Sequence, residues 1–526
     1  MRGRLVLALA LGLAALAVPS AAQAAGGHVE AELALDRALT LFEPKGARAA
    51  QGGETRPGPH DATLVLRDLA ARLADLPARD RALAERLLAR PTDGFDAFKR
   101  YTAPARHVCD ATTCVWWVNR TADAPSLVDR NSNGVPDWVD ATRATFRAVW
   151  AAEVGRYGYA RPLADNRGHR GRHRRKLDVY VADLGSRGIY GYCTTDDPRR
   201  SSSRSVSAYC AVDDDFSRAQ FGGATTGVAA LKVTAAHEFF HAVQYAYDWL
   251  EDLWLMEGSA AWVESEVYPS IHDNLQYLRR SPLSSDGFSH SLDHDEPNAA
   301  RAESGLTYGA WIWWRFLAER HGRGIVRDVW NRARGTTYSI QATQAALAAR
   351  GEPFGTVFAD FGAANLLPGA SYLNGALYDA QPGVGPVPPS VSLGTGTLST
   401  GVVSLPMPHL SNDLYAFRPG SGLGASAKLA VSVQLGLPAT RRSATLVLHR
   451  TNGTVERLPF ALDAVGAGSL GALDFGPGQV QSVTLLLTNA GLEFGSCGQA
   501  RQPPFFSCGG TPLDDATFSF TALATP

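Results

Sequence analysis

His237-Glu238-Phe239-Phe240-His241 constrains this chain more than any other stretch. Residues four apart share one face of a helix, so a helix here aims both imidazoles at a single point. Glu238, one residue on, can reach a water held at that point. Two neutral nitrogen donors and a carboxylate able to take a proton are what a hydrolytic zinc site requires. Zinc also takes a third protein ligand and keeps one position open. The motif therefore demands a buried helix with a second ligand-bearing element packed against it.

The flanking sequence supplies such elements. Apolar residues recur at helical spacing through Gly227–Tyr247, with Ala229, Ala230, Val233, Ala236, Phe240, Val243 and Ala246 forming the stripes. A second helix is predicted over Leu253–Val267 and a third over 308–321, whose Trp311, Trp313, Trp314 and Phe316 read as core. Shorter helices are expected over 325–334, 340–350 and 354–366.

Glu257 follows His241 by 16 residues, within Trp-Leu-Met-Glu-Gly-Ser-Ala-Ala-Trp-Val-Glu. This segment, with the histidine motif, resembles the gluzincins, metallopeptidases of the thermolysin and zinc-aminopeptidase kind. The resemblance covers about residues 228–320 and is nearer to secreted bacterial metalloproteases of this clan than to thermolysin itself. It implies Glu257 as the third zinc ligand. It extends to Thr307-Tyr308-Gly309, where it implies Tyr308 as a donor to a developing oxyanion. Two features depart from the family pattern. The spacing to Glu257 is short, and Ala261 stands where thermolysin has an acidic partner for a ligand histidine. Asp248, Asp252 and Glu264 are the candidates for that partner. A cluster of His290, Asp293, His294 and Asp295 offers rival ligands, but Ala242-Val243-Gln244-Tyr245 lacks the Gly and His of a metzincin. No Gly-x-Met-x-Asn segment supports an aminopeptidase.

With 526 residues the chain should hold two to four domains. Lys and Arg number 50 against 51 Asp and Glu, a balance that argues against a general nucleic-acid binder. Arg2 and Arg4, an apolar run over 5–18 and Ala22-Gln23-Ala24 predict a signal peptide over 1–24 and hence a secreted protein, extracellular or periplasmic. No later stretch is long and apolar enough for a membrane span. Six cysteines fall into neighbouring pairs, Cys109/Cys114, Cys193/Cys210 and Cys497/Cys508, and read as disulfides; no C-x-x-C suggests a cysteine metal site.

The expected fold class is α+β, a small sheet with helices carrying the motif, followed by an all-β domain. Residues 25–100 read as a helical N-terminal region, interrupted over 45–59 by a Gly/Pro/Arg-rich stretch. It is either a propeptide or an extension that stays attached. Residues 101–370 form the zinc metalloprotease unit, with strands at 114–118, Leu177–Ala182 and 205–212 and a disulfide-closed loop over 190–210. An edge strand beside such a site commonly pairs with an extended substrate. The basic run 167–176 reads as a solvated loop. Asp129, Asn131, Asn133, Val135, Asp137 and Asp140 stand at the ligand spacing of an EF-hand-like calcium loop, with Gly134 at the turn; an Asx-rich turn before a helix is the alternative. Residues 371–400 read as a linker, and 401–526 as a β-sandwich that could bind a surface or polymer.

The expected activity is zinc-dependent hydrolysis of a protein or peptide, with Glu238 as general base. The rival from another class is a binding or adhesion protein that keeps the zinc site for structure alone. Intact Glu238 argues against it, because a structural site has no use for a base.

Overall fold

A computed structural model describes residues 21–42, 62–94, 100–164, 176–223, 225–295, 305–498 and 505–526. The expected signal peptide up to residue 20, the stretch 45–59 and residues 167–175 of the basic run lie outside the described residues. The chain mixes helix and sheet, consistent with the α+β expectation.

Three helices open the chain: α1 (Ala21–Leu41), α2 (Ala62–Arg72) and α3 (Ala78–Leu88). A five-stranded sheet follows, made of β1 (Ala105–Cys109), β2 (Thr113–Val118), β3 (Leu177–Ala182), β4 (Gly191–Thr194) and β5 (Tyr209–Asp213), in the order β1-β2-β3-β5-β4. β2, β3 and β5 run parallel, and the edge strands β1 and β4 are antiparallel to their neighbours. β2, β3 and β5 are buried along their whole length, as parallel strands covered on both faces must be. α4 (Asp137–Trp150), the short α5 (Arg218–Phe221) and α6 (Gly227–Tyr247) come next, and Gly191 of β4 lies so close to α6 that a Cβ would sit 2.9 Å from Thr234 and 3.2 Å from Glu238. The N-terminal helices hold the opposite face: Tyr209 donates its hydroxyl to Leu88 O, and Phe42 meets Tyr192 edge-on.

The rest of the helical body comprises α7 (Leu253–Val267), α8 (Ser285–Ser289), α9 (Leu306–Gly309), α10 (Trp311–His321), α11 (Gly324–Arg332), α12 (Ser339–Ala348) and α13 (Phe354–Asn365). Trp254 stacks on Trp314 at 5.2 Å, placing the tryptophans of 308–321 in the core.

The N-terminal helices pack into the body: Ala31, Leu35, Leu66, Leu69 and Leu87 belong to one apolar core with the sheet and α6. Two local readings change. The loop expected over 190–210 contains edge strand β4, and the strand expected from 205 begins only at Tyr209, because Val206 gives its N–H to Tyr245 O instead of the sheet. The stretch 371–400 is not all linker. After α14 (Pro368–Ser371) and α15 (Gly375–Asp379), β6 (Ser390–Leu393) joins the C-terminal sheet parallel to β8 (Ser411–Pro419).

Beyond it, β7 (Val403–Met407) and β8 are followed by β9 (Lys428–Gln434), β10 (Arg442–Arg450), β11 (Val455–Pro459), β12 (Ala467–Asp474), β13 (Val480–Asn489), β14 (Phe494–Gly495), β15 (Thr511–Pro512) and β16 (Ala516–Thr525). Two sheets, β11-β10-β13-β8-β6 and β12-β9-β16-β7, enclose a second apolar core. Period-two patterning is the cause, as in β9, where Leu429, Val431 and Val433 are buried between exposed or half-buried neighbours. The cysteines pair as neighbours: Cys109–Cys114, Cys193–Cys210 and Cys497–Cys508.

Candidate metal centre and its cover

α6 and α7 pack side by side, and this brings three donors together. His237, His241 and Glu257 each offer an atom within 4.8 Å of the others. His237 Nε2 lies 3.0 Å from Glu257 Oε2, and His241 Nε2 lies 3.4 Å from Glu257 Oε1. All three side chains are buried. The histidines are oriented from behind. His237 Nδ1 donates to Glu264 Oε1 at 2.8 Å, so of the three carboxylates considered as partners Glu264 takes the place. His241 Nδ1 stands 2.8 Å from Gln244 Oε1, while the Gln244 amide nitrogen donates to Met256 O and Ser259 Oγ. Those donations fix which end of the amide faces His241. Its oxygen accepts, Nδ1 carries the hydrogen, and the Nε2 lone pair is left aimed at Glu257.

The donor set fits a metal ion. His241 Nε2 and Glu257 Oε1 are buried without a hydrogen-bond partner among the described residues, an arrangement that costs free energy unless something positive joins them. Burial pulls His237 down, yet its bonds to Glu257 and Glu264 outweigh that and hold its pKa well above the usual value. Burial holds His241 near neutrality of charge, with its pKa lowered to about 4. Burial would raise Glu257, but His241, His237 and the Tyr308 hydroxyl keep it low. Two carboxylates around one imidazole call for a positive charge, either a proton on His237 or a cation bridging the three donors.

Two glycines explain the small residues of the α7 and Tyr308 segments. A Cβ on Gly258 would sit 2.9 Å from Trp314 Nε1, and one on Gly309 would sit 2.0 Å from Arg280 O. α7 and the Tyr308 turn can approach only because these side chains are missing. Tyr308 then lies over His237, ring centroids 6.1 Å apart, and its hydroxyl is among the groups that hold the Glu257 pKa down.

Glu238 faces the sheet edge. Its Oε2 accepts from Thr63 Oγ1 at 2.8 Å, and the same hydroxyl accepts the N–H of Cys193, on edge strand β4, at 2.9 Å. Burial raises the Glu238 pKa to about 7 against the opposing pull of His237 and Thr63. Thr63 belongs to α2, which therefore lies across the general-base candidate and along the strand edge. One turn on, Arg67 donates to Glu251 O at 2.7 Å and to Met256 Sδ at 3.2 Å. Arg90, after α3, clamps the same layer to the sheet through Asp178 at 2.6 Å and Asp196 at 2.8 Å, all three buried. Sequence reasoning missed Gln244, Thr63, Arg67 and Arg90. Only Gln244 carried a local signal, three residues from a ligand histidine on the same helix.

The other candidates do not join the centre. Asp293 pairs with His409, and Asp295 accepts from Thr307. In the calcium-like loop the side chains bond one another: Asp129 accepts from Asn133 N and Gly134 N, Asn131 and Asn133 donate to Asp140, Asp137 pairs with Arg130, and Val135 N donates to Asn133 Oδ1. These bonds hold the loop that leads into α4. Asp183, Asp213 and Asp214 also draw together, with Asp213 accepting the N–H groups of Gly185, Asp215 and Phe216.

Searches against protein-family models and against curated proteins find no match to this chain.

Proposed function

We propose that this chain is an exported, latent zinc-dependent endopeptidase of gluzincin type. The convergence of His237, His241 and Glu257, with Glu238 beside them, carries the reading. A bound zinc ion would be held by those three side chains and would supply Lewis acidity, acidifying water and polarising a carbonyl. The chain's own residues do the rest. Glu264 and Gln244 hold the imidazoles in the ligand tautomer. Glu238 takes the proton of the attacking water and passes it to the leaving amine. Tyr308 directs its hydroxyl at the centre, where it can donate to charge developing on the carbonyl oxygen. Edge strand β4 is the element on which an extended polypeptide would pair.

Thr63 occupies both the base and the β4 N–H, so hydrolysis requires α2 to leave; residues 25–100 thus act as a propeptide-like cover. The same cover favours a second reading, a permanently closed binding protein with a structural zinc. The two separate in one experiment. Leu66→Asp with Leu69→Asp should loosen α2 without touching the metal ligands, since both leucines are fully buried in the cover. The zinc-loaded double variant should hydrolyse unfolded casein faster than the parent chain, and adding Glu238→Gln should abolish the gain. Zinc at one ion per chain with no Glu238-dependent hydrolysis in the loosened variant would sink the protease reading.

A further inference from the structure

Beside the centre lies a cavity of about 480 Å³ between the N-terminal helices, the start of α7 and the residues Gly498, Phe505, Phe506 and Cys508 around the Cys497–Cys508 disulfide. Its two walls differ in charge. The body contributes Glu251, Asp252, Asp295 and Asp293, the last already paired with His409, against one arginine, Arg204, which is already paired with Asp248. The cover contributes Arg37, Arg67 and Arg72 against Glu30 and Asp68. An acidic wall alone means little, but here a second observation points to a ligand. Glu251 is 1 % exposed, and while its Oε1 accepts Ser339 N and Asp252 N, its Oε2 has no hydrogen-bond partner among the described residues. On the other side Arg67 Nε is likewise buried without a partner among the described residues. Among the described residues the guanidinium reaches a carbonyl and a thioether; burial lowers its pKa, opposed by Tyr245, Asp295, Asp252 and Glu257. Arg67 fills this recess from one helical turn beyond Thr63, the residue on the general base.

We propose that the recess is a substrate side-chain subsite selective for a cationic residue, arginine or lysine, and that Arg67 holds it while the cover is in place. This rests on the hydrolase reading above and adds a substrate class: polypeptides with a basic residue close to the scissile bond. The geometry that carries it is the alignment of three things along α2, with Thr63 at the base, Arg67 in the acidic recess and the helix itself along strand β4. An extended substrate replacing the helix would meet the same acidic wall.

Two binding measurements test it without turnover. In the zinc-loaded full chain, Arg67→Ala leaves room for a small cation, so millimolar ethylguanidinium should raise its thermal midpoint while leaving the parent chain unchanged or lowered. An equal response in both chains overturns the proposal. The second arm uses the full chain carrying Leu66→Asp, Leu69→Asp and Glu238→Gln, titrated with pentapeptides Ala-Ala-X-Ala-Ala blocked at both ends. Arginine or lysine at X should bind at least about tenfold tighter than norleucine, a difference of about 1.4 kcal/mol. Glutamate should bind weakest, and adding Glu251→Gln or Asp252→Asn should shrink the preference. Equal affinity for arginine and norleucine overturns it. Both readouts are binding, so loss of the enzyme reading in the casein assay leaves them standing, and their failure leaves the enzyme reading standing.

Discussion

At the residue scale the centre depends on what stands behind the ligands. Gln244 is fixed by two donations and in turn fixes His241. Gln244→Ala should therefore lower zinc affinity by roughly 10–100-fold, and Glu264→Gln should do the same through His237, with the fold intact by circular dichroism. Competition with a chromophoric chelator reads this directly, and unchanged affinity in both variants would remove these residues from the role. His237, Glu238 and His241 were legible because helical spacing alone puts them on one face. Their partners were not. Glu264 was one of three carboxylates that the sequence could not rank, since the choice depends on the rotation of α7 about its axis. That rotation is set by Gly258 against Trp314 and Ala310, a packing contact between segments far apart in the chain.

At the element scale α2 decides what the centre can do in this conformation. Its amphipathic pattern was readable, with Leu66 and Leu69 turned inward, but nothing in its sequence said that the inner face would meet Glu238. Arg90 anchors the layer. Replacing it with alanine strands Asp178 and Asp196 in the interior, and loss of one partner of a buried ionic network costs about 3–5 kcal/mol. Arg90→Ala should thus lower stability in denaturant titrations by that order and speed amide exchange throughout α2 and α3. A loss below about 1 kcal/mol would mean that the carboxylates find other partners. The strands that were misplaced, β4 and the start of β5, share a cause. A four-residue edge strand of Gly-Tyr-Cys-Thr carries too little periodicity to be separated from a disulfide loop.

At the scale of the whole molecule the C-terminal β region is not a module on a tether. Its Cys497–Cys508 loop gives Cys508 N to Asp252 Oδ2 at 3.0 Å and lines the recess beside α7. His409, in the turn between β7 and β8, sits between Asp293 of the helical body at 3.0 Å and Asp515 at 2.9 Å, packed against the rings of Phe494 and Phe506. Burial alone would lower its pKa, but the two carboxylates push it up to about 9. A raised folded-state pKa means that this contribution is full below the unfolded value near 6.5 and is lost as pH rises through about 9. The stability difference between the parent chain and His409→Gln should accordingly narrow from pH 6.5 to 9.5, by up to about 1.4 kcal/mol per pH unit. A constant difference across that window would show that His409 is held neutral. No helix among the described residues is long and apolar enough to cross a membrane. The sequence by itself determined the helix bearing His237 and His241, the period-two strands of the second half and the neighbour pairing of cysteines, because each is a short-range pattern. Only the tertiary structure decided that Glu257 reaches both histidines, that Thr63 lies on Glu238 and Arg67 in the acidic recess, and that the C-terminal loop walls the cleft. Those contacts join residues up to about 250 positions apart, and the free energy that selects them comes from burying surfaces that no local window contains.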